Sequence, residues 1–132
     1  MDEPTWVGLI VVDAVHTSQL QEHGGRQGTR DVNALAAALA RPQHRFVYEP
    51  DADSADPAAA YAFGLATVHP FVDANKRTAF LVAAIFLELN GYDLARSDDE
   101  VVETMRAVAN REMTERPLAK WIRSALVPQS RG

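Results

Sequence analysis

Apolar residues recur at helical spacing over most of the chain, and the segments that carry them end at glycine or proline. The stretch before Gly24 predicts a first helix, although its valines and isoleucine leave a strand open. A second, short helix is predicted between Asp31, as its N-cap, and Pro42, as its end. Asp56 and Pro57 are a typical N-cap and first residue of a third helix.

The second half of the chain predicts further helices. Ala79–Leu87 contains no polar residue, and a helix that is apolar all round is buried at the centre of its domain, here with Gly91 as its stop. The sequence "SDDE" (Ser97–Glu100) fits a capping box, and another apolar stripe follows Thr114. The tail "VPQSRG" is expected to fray.

One segment breaks the helical pattern. "HRFVYEP", from His44 to Pro50, is short, aromatic and β-branched, which predicts extended backbone. A single such segment cannot form a sheet, so an isolated flap is expected. We therefore predict an all-α fold in one domain, residues 1–132, with about six helices around a central buried helix and a short extended β flap.

Composition and charge narrow the function classes. Of the 132 residues, 47% are hydrophobic, as in a globular protein, and none is cysteine, which excludes disulfides and thiolate metal sites. A net charge of -5 argues against a broad nucleic-acid surface. The acidic start "MDEPTW" is unlike a signal peptide, and no apolar run approaches the ~18 residues of a membrane span. We expect a cytoplasmic protein with no membrane and no nucleic-acid partner.

The stretch "HPFVDANKRTAF" (His69–Phe80) carries the candidate chemistry. Lys76 and Arg77 fall in the first turn of the central helix, where the helix dipole disfavours each cation by about 0.3–1 kcal/mol. The same helix end favours a phosphate, which its backbone amides, the two cations and Asn75 could hold together. The two cations are therefore unfavourable at a helix end that binds no ligand, and favourable at one that binds a polyphosphate.

Two further residues of this stretch suit such a ligand. Asp73 offers a hard oxygen ligand for a Mg²⁺ ion shared with phosphates. His69 precedes Pro70, which moves it off the preceding helix, and an imidazole can accept a hydroxyl proton near neutral pH. Structural interpretations also stand: Asp73 as a helix cap paired with Lys76 or Arg77, and His69 as an ordinary helix-end residue.

These residues resemble a known motif. "HPFVDANKR" resembles the signature H-P-F-x-(D/E)-G-N-G-R-x-x-R of the Fic/Doc (Fido) family. "HGGRQGTRDVNALAAALARPQ" and "FLELNGYDL" resemble segments of its Doc branch, the death-on-curing toxins of bacterial toxin–antitoxin modules. The resemblance covers Val11 to Leu94 and implies the helical fold of that family.

The resemblance implies a role for several matching residues. His69 would be the general base on a target hydroxyl, Asp73 would hold Mg²⁺, and Phe71 would anchor the loop in the core. The family also has a flap that aligns a target peptide by strand addition. Here that flap would be formed by Arg45, Phe46, Val47 and Tyr48.

The resemblance also implies that ATP is the nucleotide, held by Asn75, Lys76 and Arg77 and by the amides that begin at Ala74. Lys76 stands where most Fic proteins have a second Gly, and Phe80 where they have a second Arg. The Doc branch shares both departures. It is understood to bind ATP in reverse and to phosphorylate a threonine of elongation factor Tu, which halts translation. Ala74 replaces a Gly, which is tolerable if its φ is negative.

Two alternatives stand beside a protein-threonine kinase toxin of the Doc type. The first is a Fic-type adenylyl or nucleotidyl transferase, against which Lys76 and Phe80 argue. The second is a non-catalytic binding protein with the same fold. Against it argues the intact set of His69, Asp73, Asn75 and Arg77.

Inhibition is expected to come from a separate protein. "SQLQE" (Ser18–Glu22) matches part of the inhibitory helix pattern of the family, but His23 follows where Gly or Asn is expected, so Glu22 is predicted as a surface residue. The resemblance then implies a cognate, Phd-like antitoxin with a segment that docks into an apolar groove. His16 has no metal-ligand spacing to His23 or His44 and is predicted to be a surface or structural residue.

Overall fold

The computed structural model describes residues 2–129, and these form six helices and two short strands. The helices are α1 (Leu9–His23), α2 (Val32–Tyr48), α3 (Ala55–Val68), α4 (Asn75–Leu89), α5 (Asp98–Ala109) and α6 (Glu115–Arg123). Strand β1 (Tyr92–Leu94) pairs antiparallel with β2 (Leu126–Pro128). The predicted all-α class with a short β element is confirmed.

Helices α3 and α4 pack against each other at the centre of the fold. Helix α1 packs on α4, helices α2 and α6 pack on α3, and α5 packs on both. Most of α3 is buried, and its small residues allow close approach, as where Gly64 lies against Ala38 of α2. Helix α4 buries Val82 and Phe86, but Phe80 stays partly exposed. The predicted central position of α4 is thus confirmed. The prediction that every face of this helix is buried is wrong.

Three helix ends follow the local signals in the sequence. Asp31 caps α2, because its side chain accepts a hydrogen bond from the Ala34 amide at 3.0 Å. Ser97 and Glu100 form the predicted capping box of α5. Helix α1 is a helix rather than a strand, and it ends at Gly24, where φ is 78°.

The predicted position of the flap is wrong, because the last turn of α2 contains Arg45, Phe46, Val47 and Tyr48. Pro42 does not end this helix either, but lies buried inside it. Tertiary contacts stabilise the last turn. Arg45 binds Glu115 of α6 and Asp56, which lies in the first turn of α3 rather than at its N-cap. Phe46 packs edge-on against Trp6, and these contacts together outweigh the local β propensity.

The predicted frayed tail is wrong in its first half. Val127 and Pro128 belong to β2, and the following Gln129 amide donates to the Gly91 carbonyl at 2.9 Å. The last three residues of that tail, 130–132, lie outside the described residues. Over residues 2–129, none of the helices combines the length and the apolar character that a membrane span requires.

Candidate active site

The motif loop, residues 69–74, connects α3 to α4 and has a left-handed residue at each end. His69 ends α3 with φ 48° and ψ 60°, off the helix as predicted. Ala74 precedes α4 with φ 66° and ψ 25°, so the condition under which alanine would be tolerable at this position, a negative φ, is not met. Left-handed backbone costs a residue with a Cβ roughly 1–2 kcal/mol. Contacts elsewhere must therefore hold both ends of the loop.

A cavity of about 420 Å³ lies over the motif loop and the first turn of α4. Val72 and Ala74 line this cavity. The predicted polar site residues line it as well: His69, Asp73, Asn75, Lys76 and Arg77. The end of α5 adds Ala109 and Asn110, which nothing in their local sequence connects to the motif. We call this space the motif cavity.

Other predicted residues lie elsewhere. Phe71 is buried with 1% of its surface exposed, as expected for a core anchor, and Phe80 packs against the hydrophobic core. Of the described residues that line the motif cavity, none comes from the predicted flap. Arg45 and Tyr48 border a separate depression between α2 and α6.

The N-terminus of α4 carries positive charge that pairs with none of the residues that the structure describes. Ala74 precedes the helix and provides no side-chain cap. Within residues 2–129, the backbone amides of Asn75, Lys76 and Arg77 donate no hydrogen bond, and neither cation forms an ion pair. Both cationic side chains are exposed. Free amides and unpaired cations at a helix N-terminus are a physical basis for anion binding.

The Asn75 side chain closes the motif loop. Its Oδ1 accepts a hydrogen bond from the Phe71 amide, and its Nδ2 donates one to the Phe71 carbonyl, each at 3.0 Å. These bonds occupy the oxygen and one amide hydrogen of the side chain. Asn75 therefore shapes the loop, and its predicted contact with a phosphate stays a prediction.

Asp73 lines the motif cavity and has one carboxylate oxygen without a partner. Its Oδ2 accepts a hydrogen bond from the Arg26 amide at 2.7 Å, whereas its Oδ1 has no partner among the described residues. Proteins usually bind Mg²⁺ through one or two carboxylates, with water and nucleotide phosphates as the remaining ligands. A single free carboxylate oxygen in the cavity fits a metal of this kind, provided that nucleotide phosphates supply further ligands.

A second segment, the glycine loop (residues 24–31), borders the motif loop and connects α1 to α2. Thr29 forms an isolated β-bridge with Phe71. Gly25, with φ 128°, approaches Asp73 so closely that an added Cβ would lie 3.3 Å from the Asp73 Cβ. A Cβ here would also lie 2.9 Å from the Leu20 Cδ2, so a side chain would crowd both neighbours in a conformation that favours glycine. The glycines of "HGGRQG" are the sequence signal for this close approach.

His16 was predicted to be either a surface or a structural residue, and it is structural. It contacts the motif loop directly. It is buried, and its ring stacks on Phe71 with the two centroids 3.8 Å apart. Its Nε2 lies 2.9 Å from the Asp73 carbonyl, and this nitrogen is the donor because a carbonyl can only accept. Helix α1 therefore supports the residue that offers the free carboxylate oxygen.

Replacing Ala74 with glycine should stabilise the protein. Glycine adopts φ 66° without the Cβ clash that alanine has there, while the greater freedom of the unfolded chain offsets part of the gain. We expect the free energy of unfolding, measured by urea denaturation, to rise by about 0.5–1 kcal/mol.

The matched control for this change is Ala36→Gly, at an exposed position within α2. Glycine inside a helix should lower the free energy of unfolding by about 0.5–1 kcal/mol. An equal loss of stability in both variants would show that the left-handed backbone at Ala74 carries no strain.

Known proteins are similar to this chain in sequence. Residues 7–87, more than half of the chain, match the family described as Fic/DOC. The chain is 33% identical over 110 residues to "Protein kinase doc" of Escherichia phage P1, an alignment that covers 83% of this chain and 86% of that protein. It is 44% identical over 93 residues to "Toxin Doc" of Mycolicibacterium smegmatis, with 67% of this chain and 71% of that protein covered. The chain belongs to the Fic/Doc family, and within it to the Doc branch.

Proposed function

We propose that this protein is a Doc-type toxin, a transferase that moves the γ-phosphate of ATP to a threonine hydroxyl of elongation factor Tu and so arrests translation. The observation that carries the proposal is the motif cavity, where His69 lies beside an uncompensated cationic helix N-terminus. One similar protein is named a protein kinase and another a toxin, which supports both the chemistry and its outcome.

His69 is the general base of the proposed reaction. Its imidazole takes the proton of the target hydroxyl while the hydroxyl oxygen forms a bond to the γ-phosphorus. The bond between that phosphorus and the bridging oxygen breaks, and ADP leaves with the electron pair. His69 is partly exposed, so a protein target has access to it.

The first turn of α4 holds the phosphates. Lys76, Arg77 and the free amides that begin at Asn75 donate to phosphate oxygens and stabilise the charge on the transferred group. Asp73 would hold Mg²⁺ through its unpartnered oxygen, and this ion, when bound, supplies charge neutralisation between neighbouring phosphates.

Lys76 and Phe80 favour phosphoryl transfer over nucleotidyl transfer. Lys76 lines the motif cavity where most Fic proteins have a glycine that leaves room for further phosphates. Phe80 packs against the hydrophobic core and has no donor for a phosphate, whereas adenylyl-transferring relatives have an arginine in its place. The cavity therefore suits the binding of a terminal phosphate. The arginine that a nucleotidyl transferase has at the position of Phe80 is missing.

The target segment is proposed to approach along the glycine loop, because the end of α2 is helical and lies outside the motif cavity. The amides of Gln27 and Thr29 donate no hydrogen bond within the described residues, so an extended peptide could pair with them. A Phd-like antitoxin is the proposed inhibitory partner, and the cytoplasm is the proposed site of action.

ATP labelled separately at its α- and γ-phosphates tests this proposal. The protein is incubated with Mg²⁺, either form of ATP, and purified elongation factor Tu or a bacterial lysate. We expect the γ-label, and no α-label, on a threonine of the elongation factor. The α-label on a protein would instead support a nucleotidyl transferase. No label on any protein would support a non-catalytic binding protein.

A further inference from the structure

Arg30 of the glycine loop binds the end of the helix that carries His69. Its Nη2 donates to the His69 carbonyl at 2.7 Å and lies 3.5 Å from the Val68 carbonyl. Its backbone amide donates to the Pro70 carbonyl at 2.7 Å. A single residue therefore contacts three consecutive carbonyls at the point where α3 leads into the motif loop.

The end of α3 lacks the usual backbone donors. A helix with a left-handed final residue commonly satisfies its last carbonyls with the amides of that residue and of the next one. Here the next residue is Pro70, which has no amide hydrogen, and among the described residues the His69 amide makes no such bond. The partial negative charge of a helix C-terminus also attracts a cation. The Arg30 guanidinium instead supplies a donor to the Val68 and His69 carbonyls, the last ones at this helix end.

Arg30 is itself held on both sides. The amide of Asp31 donates to the Pro70 carbonyl at 3.1 Å, and Thr29 forms its bridge with Phe71. The backbone before and after Arg30 is thus bound to the motif loop. This arrangement gives the guanidinium a defined position relative to the proposed base.

We infer that Arg30 is a positioning residue for His69, an inference that rests on the proposed function. Arg30 does not line the motif cavity and touches no reacting atom. Through the His69 carbonyl it holds that residue in its left-handed conformation, so that the imidazole stays in the cavity with Asp73 and Lys76. A base displaced by about 1 Å can lose roughly 10²-fold in rate.

Substitution of Arg30 tests the inference, with ATP and purified elongation factor Tu as substrates. Arg30→Met, which keeps an unbranched side chain but no donor, should lower kcat roughly 10–100-fold and leave KM for ATP unchanged. Arg30→Lys keeps the charge and should recover part of the lost kcat. Arg116→Met, at an exposed position in the first turn of α6, is the matched control and should behave like the wild type.

A second measurement does not depend on activity. The three-bond NMR coupling between the amide and α protons of His69 reports its φ, and it should change in Arg30→Met but not in Arg116→Met. The inference would be overturned if the coupling or kcat of Arg30→Met were unchanged. It would also be overturned if the loss of kcat were fully explained by the fraction of the variant that is unfolded. If Arg30→Met does not fold, the same measurements on Arg30→Lys decide. If the wild type folds but has no transferase activity, the proposed function is contradicted. The effect of Arg30 on the conformation of His69 is then still tested by the NMR coupling.

Discussion

Replacing His69 with alanine should relieve growth arrest in a bacterium that expresses the protein and should leave the fold intact. The His69 side chain makes no hydrogen bond or ring contact with residues 2–129, so its removal should cost little stability. Transfer of γ-label to the target should fall by ~10²–10⁴-fold, because the hydroxyl loses its general base. Growth curves, labelled ATP and thermal melting followed by circular dichroism measure these effects.

His44→Ala is the matched control for that experiment. His44 is exposed on α2 and borders the depression between α2 and α6, outside the motif cavity. This variant should arrest growth as the wild type does. Undiminished growth arrest by His69→Ala at equal expression would show that another group accepts the proton.

Sequence patterns predict helix ends well where the contact that forms them is local. Asp31 bonds the amide three residues ahead of it, and Ser97 and Glu100 bond each other across the same distance. Such caps depend on the few residues of one turn, so the sequence of that turn contains the information needed. The stop of α1 at Gly24 has the same local origin.

The predicted flap failed because distant contacts decide the conformation of the last turn of α2. Arg45 and its partner Glu115 are 70 positions apart in the chain. The local pattern of aromatic and β-branched residues favours a strand, and the buried Pro42 favours a break. Neither pattern contains the carboxylate that binds Arg45.

Only those residues of the candidate site that lie next to one another in the sequence could be predicted. Apart from Asn110, the motif cavity takes its polar side chains from one stretch, which the motif identifies directly. His16 and Arg30 contact that stretch from 57 and 39 positions away, and only the fold brings them there. The positive φ of Ala74 also opposes the preference of alanine, so bonds across the loop determine it rather than the residue itself.

Lys76→Gly should distinguish the two transfer chemistries. Lys76 is exposed, lines the motif cavity and has no partner among the described residues, so a bound phosphate would find its charge free to interact at this helix end. The wild type should move only the γ-phosphate onto its target. In Lys76→Gly this transfer should fall roughly 10–100-fold, since a hydrogen bond to a charged group contributes about 1.5–3 kcal/mol.

The stability of Lys76→Gly should stay close to that of the wild type. Removal of a cation from a helix N-terminus is favourable by about 0.3–1 kcal/mol, and glycine in place of a side chain costs a similar amount. Thermal melting measures the balance. A loss of transfer at an unchanged melting temperature therefore reports the phosphate contact and not the fold.

Lys76→Met is the matched control, because methionine fills most of the same space without the charge. Both variants should lose γ-transfer, but only Lys76→Gly opens room for a differently oriented nucleotide, and it should show weak transfer of the α-label. That gain should stay small, because Phe80 packs against the core and cannot replace the missing arginine. Full γ-transfer by Lys76→Met would show that the charge of Lys76 is not needed to bind phosphate. The α-label on the target of the wild type would show that the protein is a nucleotidyl transferase.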